Sequence, residues 1–116
     1  MVEVQVGGGT LITETDIMNQ IRLALSAAGH MNFRGNVGKV KMADGRWFST
    51  GLPEGFSDLF GFRKTDGRMF FIEVKTEKGK LRQDQVRFLN AMKERGAIVG
   101  VARSAEQALR IVEERE

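Results

Sequence analysis

The sequence predicts an α/β domain in which helices flank a mixed central β-sheet, in the order α-β-β-β-β-α-β-α. Three observations support this fold class. Apolar residues recur at helical spacing in three segments, Asp-Gly dipeptides separate pairs of β-like runs, and a continuous apolar run follows the second helix. At 116 residues the chain has room for one hydrophobic core, so residues 1–116 are predicted to form a single domain.

The first predicted element is a helix over residues 13–28. Thr13 can cap it, with Asp16 as the capping-box partner, and Gly29 ends it. Its apolar face consists of Ile17, Met18, Ile21, Leu25 and Ala28. The preceding residues 1–12 contain three consecutive glycines and are predicted to be a flexible N-terminal segment.

Two β-hairpins are predicted next, each with an Asp-Gly turn. The first joins strands at about 37–42 and 46–49, and the second joins strands at about 57–63 and 68–75. Because side chains alternate along a strand, each of these runs can present one face to a core.

A helix over residues 81–95 and a buried strand over 97–102 follow. The helix is predicted to turn Val86, Phe88, Leu89 and Met92 inward, and Ser104 can cap a last helix. A strand, a crossover helix and a second strand form a βαβ unit, so strands 68–75 and 97–102 should be parallel.

Charge and composition narrow the possible partners. Residues 22–103 contain 16 Lys and Arg against 8 Asp and Glu, whereas both ends of the chain are acidic. The excess of Lys and Arg in residues 22–103 favours a polyanion such as nucleic acid as partner, although a solvated basic surface explains it equally well.

Cysteine is absent, which excludes disulfides and suits a reducing cytoplasm. No membrane partner is predicted, because no run approaches the roughly 20 apolar residues of a transmembrane helix.

Polar side chains interrupt the most apolar predicted strand, residues 68–75. Glu73 and Lys75 share one face of this strand with Phe71. Asp58 opens the preceding strand, and antiparallel pairing of the two strands would bring it to the same end of the sheet. These groups could instead reach solvent at strand edges, but a shared polar site explains all three together.

Two helices repeat this pattern. Gln85 falls on the inward stripe of helix 81–95, and Glu14 extends the inward stripe of helix 13–28. For Glu14 the alternative is that it favours the helix N-terminus as a solvated acid.

A site whose ligands are carboxylate oxygens, with no His or Cys among them, suits Mg²⁺ or Mn²⁺. A lysine beside such a metal could activate water or offset phosphate charge, which indicates phosphodiester hydrolysis.

The motif Asp58, Glu73-Val74-Lys75 and Gln85 resembles that of the PD-(D/E)xK nuclease superfamily. The stretches "GLPEGFSDLFGF" and "FFIEVKTEKGKLRQDQVRFLNAMKERGAIVGVA" resemble the VRR-NUC family, including its stand-alone phage and bacterial members. The resemblance covers about residues 13 to 112 and implies a restriction-endonuclease-like fold. One departure is that Ser57 precedes Asp58, where the family often has proline.

The resemblance also implies roles for the site residues. Carboxylates of Asp58 and Glu73 would be metal ligands, with the Val74 carbonyl as a third. Lys75 would be the catalytic lysine, and Gln85 would position the lysine, the water or the DNA backbone. Glu14 would correspond to an acid on the first helix that completes the metal site in many superfamily members.

Basic residues near these positions are candidates for DNA contacts, although any of them could lie in an ordinary solvated loop. The candidates are Lys78, Lys80 and Arg82 after the second hairpin, and Arg34, Lys39, Lys41 and Arg46 on or near the first. Trp47 is a weaker candidate for base stacking, Glu54 reads as a loop carboxylate, and His30 is expected at the surface with no role.

The resulting hypothesis is a Mg²⁺- or Mn²⁺-dependent DNA endonuclease of the bacterial or phage-infected cytoplasm. Stand-alone members of the family resemble Holliday-junction resolvases and act as homodimers, so four-way junctions are the leading substrate. The alternatives are a flap or nicking endonuclease, a non-catalytic DNA-binding domain that kept the fold, and an unrelated α/β domain that binds a protein.

Overall fold

The computed structural model describes residues 12–114 and confirms the predicted fold class, with a mixed sheet between helices. The predicted flexible segment lies almost entirely outside the described residues. The helices are α1 (Glu14–Ala27), α2 (Gln83–Glu94) and α3 (Ala105–Glu113). The strands are β1 (Met31–Arg34), β2 (Lys39–Lys41), β3 (Trp47–Ser49), β4 (Leu59–Phe62), β5 (Met69–Val74) and β6 (Ile98–Ala102).

The central sheet has the strand order β1-β4-β5-β6. β1 and β4 are antiparallel, as are β4 and β5, whereas β5 and β6 are parallel as the βαβ unit predicted. Two features differ from the sequence prediction. β1 is an additional strand, and the first predicted hairpin forms a separate two-stranded sheet, β2–β3, instead of joining the central one.

Helices α1 and α3 cover one face of the sheet and build the aliphatic core. Residues Phe70, Ile72 and Val74 of β5 face these helices and are fully buried. The remaining buried members of this core are Ile17, Met18, Ile21, Leu25, Leu59, Ile98, Ala102, Ala108 and Val112. The predicted apolar stripe of α1 is therefore the one that packs on the sheet.

Helix α2 covers the opposite face of the sheet, where the core is aromatic. Phe56, Phe60, Phe71 and Phe88 form a connected cluster with ring centroids 4.7 to 6.4 Å apart. The prediction that Val86 points inward is wrong, because this side chain is 39% exposed. This face is the one on which Glu73 lies, since β5 side chains alternate.

The ends of α1 follow the predicted chemistry. Thr13 and Asp16 form the capping box, and the Thr13 hydroxyl accepts a hydrogen bond from the Asp16 amide at 3.1 Å. Gly29 follows the helix with φ of 92°, a left-handed conformation that favours glycine. Within residues 12–114, no helix has the length and apolar character needed to cross a membrane.

Candidate active site

Asp58 immediately precedes β4 and is held against the end of β5. Because Leu59 lies opposite Ile72 in the antiparallel register, Asp58 comes opposite Glu73. The Val74 amide donates a hydrogen bond to Asp58 Oδ2 at 2.8 Å. The predicted hairpin therefore brings the two acids together, as the sequence indicated.

Glu73 is completely buried between the sheet and α2. Its Oε1 atom accepts a hydrogen bond from Gln85 Nε2 at 3.1 Å. Its Oε2 atom is also buried and accepts no hydrogen bond from any group within residues 12–114. A buried polar atom without a partner costs on the order of 1–3 kcal/mol, so this arrangement is suited to a ligand that would contact Oε2.

The electrostatics of Glu73 point to the same conclusion. Burial raises the pKa of its carboxyl from an ordinary 4.5 to about 9. A hydrogen bond from the protonated carboxyl to Asp58 and the negative charge of Asp58 add to the rise. The positive charges of Lys75 and Arg82 oppose this rise without overcoming it. A divalent cation beside Asp58 and Glu73 would favour the ionised form of Glu73 and would contact its Oε2 atom, so the two carboxylates fit a metal.

Gln85 connects Glu73 to the start of α2. The side chain is buried, as its position on the inward stripe predicted. Its Oε1 atom accepts a hydrogen bond from the Arg82 amide at 2.9 Å, while its Nε2 atom donates to Glu73. One amide thus caps the helix and holds the orientation of the buried carboxylate.

Lys75 is the first residue after β5 and is 7% exposed. Its backbone amide donates to the Ala102 carbonyl at 3.2 Å, which continues the pairing of β5 with β6 beyond the strand end. Within residues 12–114, its ammonium group has no ion pair. The side chain is therefore free to interact with a substrate in the cleft described next.

A cleft of about 510 Å³ collects many of the predicted site residues. Those that line it are Glu14, Arg34, Asp58, Lys75, Arg82 and Gln85. Glu73 is buried and does not line the cleft, but it accepts a hydrogen bond from Gln85, which does. A slightly larger cleft of about 560 Å³ opens at the other end of β6, beside Arg68 and Arg110, but no buried carboxylate lies there.

Glu14 occupies the cleft differently from the other acids. It is exposed in the first turn of α1. Within residues 12–114, no three His, Cys, Asp or Glu side chains lie close enough together to hold a metal ion. Glu14 thus lines the same cleft as Asp58, but it does not form a group of metal ligands with Asp58 and Glu73. Its role as a metal ligand stays a prediction.

The predicted DNA-contacting residues divide into two groups. Arg34 and Arg82 line the cleft. The others are exposed but do not line it: Lys78 and Lys80 lie between β5 and α2, and Lys39, Lys41 and Arg46 lie on the β2–β3 hairpin. Arg46 and Arg82 also contact neighbouring acids, Asp44 at 2.7 Å and Asp84 at 3.2 Å.

His30 and Glu54 lie outside the cleft. The expectation that His30 is a surface residue is wrong, because it is 4% exposed. Its Nε2 atom lies 3.1 Å from Glu113 Oε2, and its Nδ1 atom accepts from the Lys64 amide at 3.0 Å. This histidine therefore ties the end of α1 to α3 and to the β4–β5 turn. Glu54 is an exposed loop residue, as predicted.

The sequence prediction missed residues that shape the cleft. Gly35 donates its amide to the Asp58 carbonyl at 2.8 Å, and a Cβ atom at position 35 would lie 2.1 Å from the Ser57 carbonyl oxygen. Only glycine permits this approach. Arg103 Nη1 donates to the Gly79 carbonyl at 2.7 Å and also contacts the Thr76 carbonyl, so it fixes the loop after Lys75.

Comparisons with known proteins agree with this fold. The sequence model of the VRR-NUC domain family matches residues 30–106, which include every residue of the Asp58, Glu73-x-Lys75 and Gln85 motif. A solved structure described as a VRR_NUC domain aligns with a TM-score of 0.63 and 24% sequence identity, covering 90% of this chain and 100% of that one. No curated protein matches the sequence.

Proposed function

This chain belongs to the VRR-NUC domain family, and from that premise we propose that it is a divalent-metal-dependent endonuclease that hydrolyses phosphodiester bonds in DNA. The family is one of nuclease domains. The observation that carries the metal dependence is the buried Glu73 carboxyl beside Asp58, whose Oε2 atom accepts no hydrogen bond from the described residues.

The metal would be held by oxygen ligands from two neighbouring strands. These are the carboxylates of Asp58 and Glu73 and the carbonyl of Val74, with Glu14 as a further acid in the same cleft. An all-oxygen set of this kind suits Mg²⁺ or Mn²⁺. When bound, such an ion polarises the phosphoryl oxygen and lowers the pKa of a coordinated water.

Lys75 would act on the substrate beside this site. Its ammonium group can donate a hydrogen bond to a phosphate oxygen and stabilise the charge that develops there during hydrolysis. Gln85 holds Glu73 in place through the amide contact described above, so it acts as a positioning residue. Arg34 and Arg82 provide positive charge on the cleft walls for the flanking phosphates.

The preferred substrate in this proposal is branched DNA, with four-way junctions first and flap or nicked DNA as the alternative. The family resemblance supports a homodimer, and a two-fold pair of active sites matches two symmetric cuts in a junction. The absence of cysteine suits a reducing cytoplasm, and the resemblance to stand-alone phage and bacterial family members suggests a bacterial or phage-infected cell.

Cleavage of labelled DNA tests the proposal. Four-way junction, flap and linear duplex substrates are compared in Mg²⁺, Mn²⁺ and EDTA. We expect metal-dependent cutting that is lost in Asp58→Ala and Lys75→Ala. Glu54→Ala is the matched control, because it removes an exposed acid outside the cleft.

The pattern of products separates the alternatives. Paired symmetric nicks in the junction select the resolvase, and single nicks in flap DNA select the flap endonuclease. A folded wild-type protein that binds DNA but cuts none of the substrates with either metal contradicts the enzymatic proposal and leaves a DNA-binding domain.

A further inference from the structure

The β2–β3 hairpin, residues 39–49, lacks a partner in the described part of the chain. All six strand residues of the hairpin are exposed, and it packs only marginally on any other helix or strand. An isolated two-stranded hairpin is at best marginally stable in water. The exposed side chains nevertheless include Val40, Trp47 and Phe48, which are 55 to 65% exposed.

The hairpin has two chemically different faces. In its register Lys41 lies opposite Trp47, and Val40 lies opposite Phe48. One face therefore carries Trp47 opposite Lys41, with Lys39 and Ser49 as the next pair, and the other face carries the apolar pair Val40 and Phe48. A large aromatic ring beside cations is the combination with which proteins stack on a nucleobase while contacting phosphates.

The base of the hairpin lies at the active-site cleft. Val37, Val40 and Thr50 line the same cleft as Asp58 and Lys75. A DNA strand that enters the cleft would therefore run beside the base of the hairpin. Trp47, Lys39 and Lys41 lie on the face opposite Val40, so they are placed to contact DNA next to the cleft and not the scissile phosphate within it.

We propose that the hairpin recognises the unpaired bases of branched DNA, with Trp47 stacked on a nucleobase and Lys39 and Lys41 on the flanking phosphates. The inference rests on the proposed nuclease function and adds the substrate feature that the enzyme reads. Fully paired duplex offers no free base face inside the stack, whereas a flap or an open junction does.

The positive charge of the hairpin face that carries Trp47 favours DNA as its partner over a second copy of the chain. In a two-fold contact centred on it, Lys39 and Lys41 of one copy would meet the same residues of the other. Asp44, the one acid within the hairpin, already lies 2.7 Å from Arg46 and so offers little compensation. DNA phosphates complement both lysines.

Fluorescence gives a direct test, because Trp47 is the single tryptophan of the chain. The full-length wild-type protein is titrated in EDTA with labelled flap DNA and with a G·C-ended linear duplex, while anisotropy of the label reports binding. We expect tryptophan fluorescence to be quenched when flap DNA saturates the protein, and to be nearly unchanged with saturating duplex.

Variants test whether the contact contributes to selectivity. Trp47→Ala should weaken flap binding by about 5- to 150-fold and leave duplex binding nearly unchanged. Trp47→Phe keeps a stacking ring and should retain most of the flap affinity, which guards against a misfolded alanine variant. Leu23→Ala, at a residue 73% exposed on α1, should change neither the flap affinity nor the duplex affinity.

Each other outcome overturns the inference. An unchanged fluorescence at saturating flap DNA, or an equal loss of flap and duplex affinity in Trp47→Ala, removes the base-reading role. Fluorescence that depends on protein concentration without DNA assigns the hairpin to a second copy. If the same preparation still cuts flap DNA in Mn²⁺, only this inference fails; if it neither binds nor cuts DNA, the proposed nuclease function fails with it.

Discussion

Replacing Glu73 by glutamine should stabilise the metal-free protein at neutral pH. Glutamine has the shape of a protonated glutamate, and its amide oxygen can still accept the hydrogen bond from Gln85. The substitution therefore preserves the packing of a completely buried side chain while it removes the proton equilibrium.

The magnitude follows from the pKa of Glu73, which burial raises from 4.5 to about 9. Between these values the unfolded chain releases the proton and the folded chain keeps it, so stability falls as pH rises. The fall is about 1.4 kcal/mol per pH unit. At pH 7 the wild type should be less stable than Glu73→Gln by about 3 kcal/mol, a difference that disappears near pH 4.5 and grows toward pH 9.

Urea denaturation in EDTA between pH 4.5 and pH 9 measures this difference. Glu54→Gln, at an exposed acid, is the control and should follow the wild type. Saturating Mn²⁺ should reverse the order, because a ligand that binds only the folded wild type adds to its stability. The reasoning is refuted if Glu73→Gln is no more stable than the wild type at pH 7 in EDTA.

Three further predictions concern the shape and charge of the cleft. Gly35→Ala should lower the free energy of unfolding by about 1–3 kcal/mol in urea, because the new Cβ would overlap the Ser57 carbonyl oxygen; unchanged stability would contradict that close approach. Arg103→Ala should free the loop at residues 76–79 and speed its cleavage by trypsin, with Arg103→Lys intermediate; equal rates would show that the contacts to Thr76 and Gly79 do not hold the loop. Arg34→Ala should reduce the slope of log DNA affinity against log salt by about 1, and an unchanged slope would place this arginine off the DNA.

Local patterns predicted the part of the fold that holds the acids. The alternation along β5 put Glu73 and Lys75 on one face, and both side chains are buried. The Asp-Gly turn between β4 and β5 determines their register, so Asp58 could be placed at the same end of the sheet. Helical spacing similarly identified Gln85 as an inward amide.

Features that depend on distant contacts could not be predicted in this way. β1 has only four residues, three of them exposed, and it is a strand because it pairs with β4. The contacts of Arg103 with Thr76 and Gly79 join residues more than 20 positions apart without any local signal. The Asp-Gly turn predicted the β2–β3 hairpin but not its separation from the central sheet. That separation depends on which strands pair in the central sheet, where β1 and not the hairpin lies beside β4.

The central claim is that Glu73 holds a metal ion and that Lys75 acts on the phosphate beside it. Mn²⁺ affinity by calorimetry and single-turnover cleavage of branched DNA are measured together for Glu73→Gln and Lys75→Met. Glu73→Gln should lose both metal binding and cleavage. Lys75→Met should keep metal binding and lose cleavage by about 10²- to 10³-fold. Wild-type cleavage by Lys75→Met, or wild-type Mn²⁺ affinity in Glu73→Gln, would contradict the account.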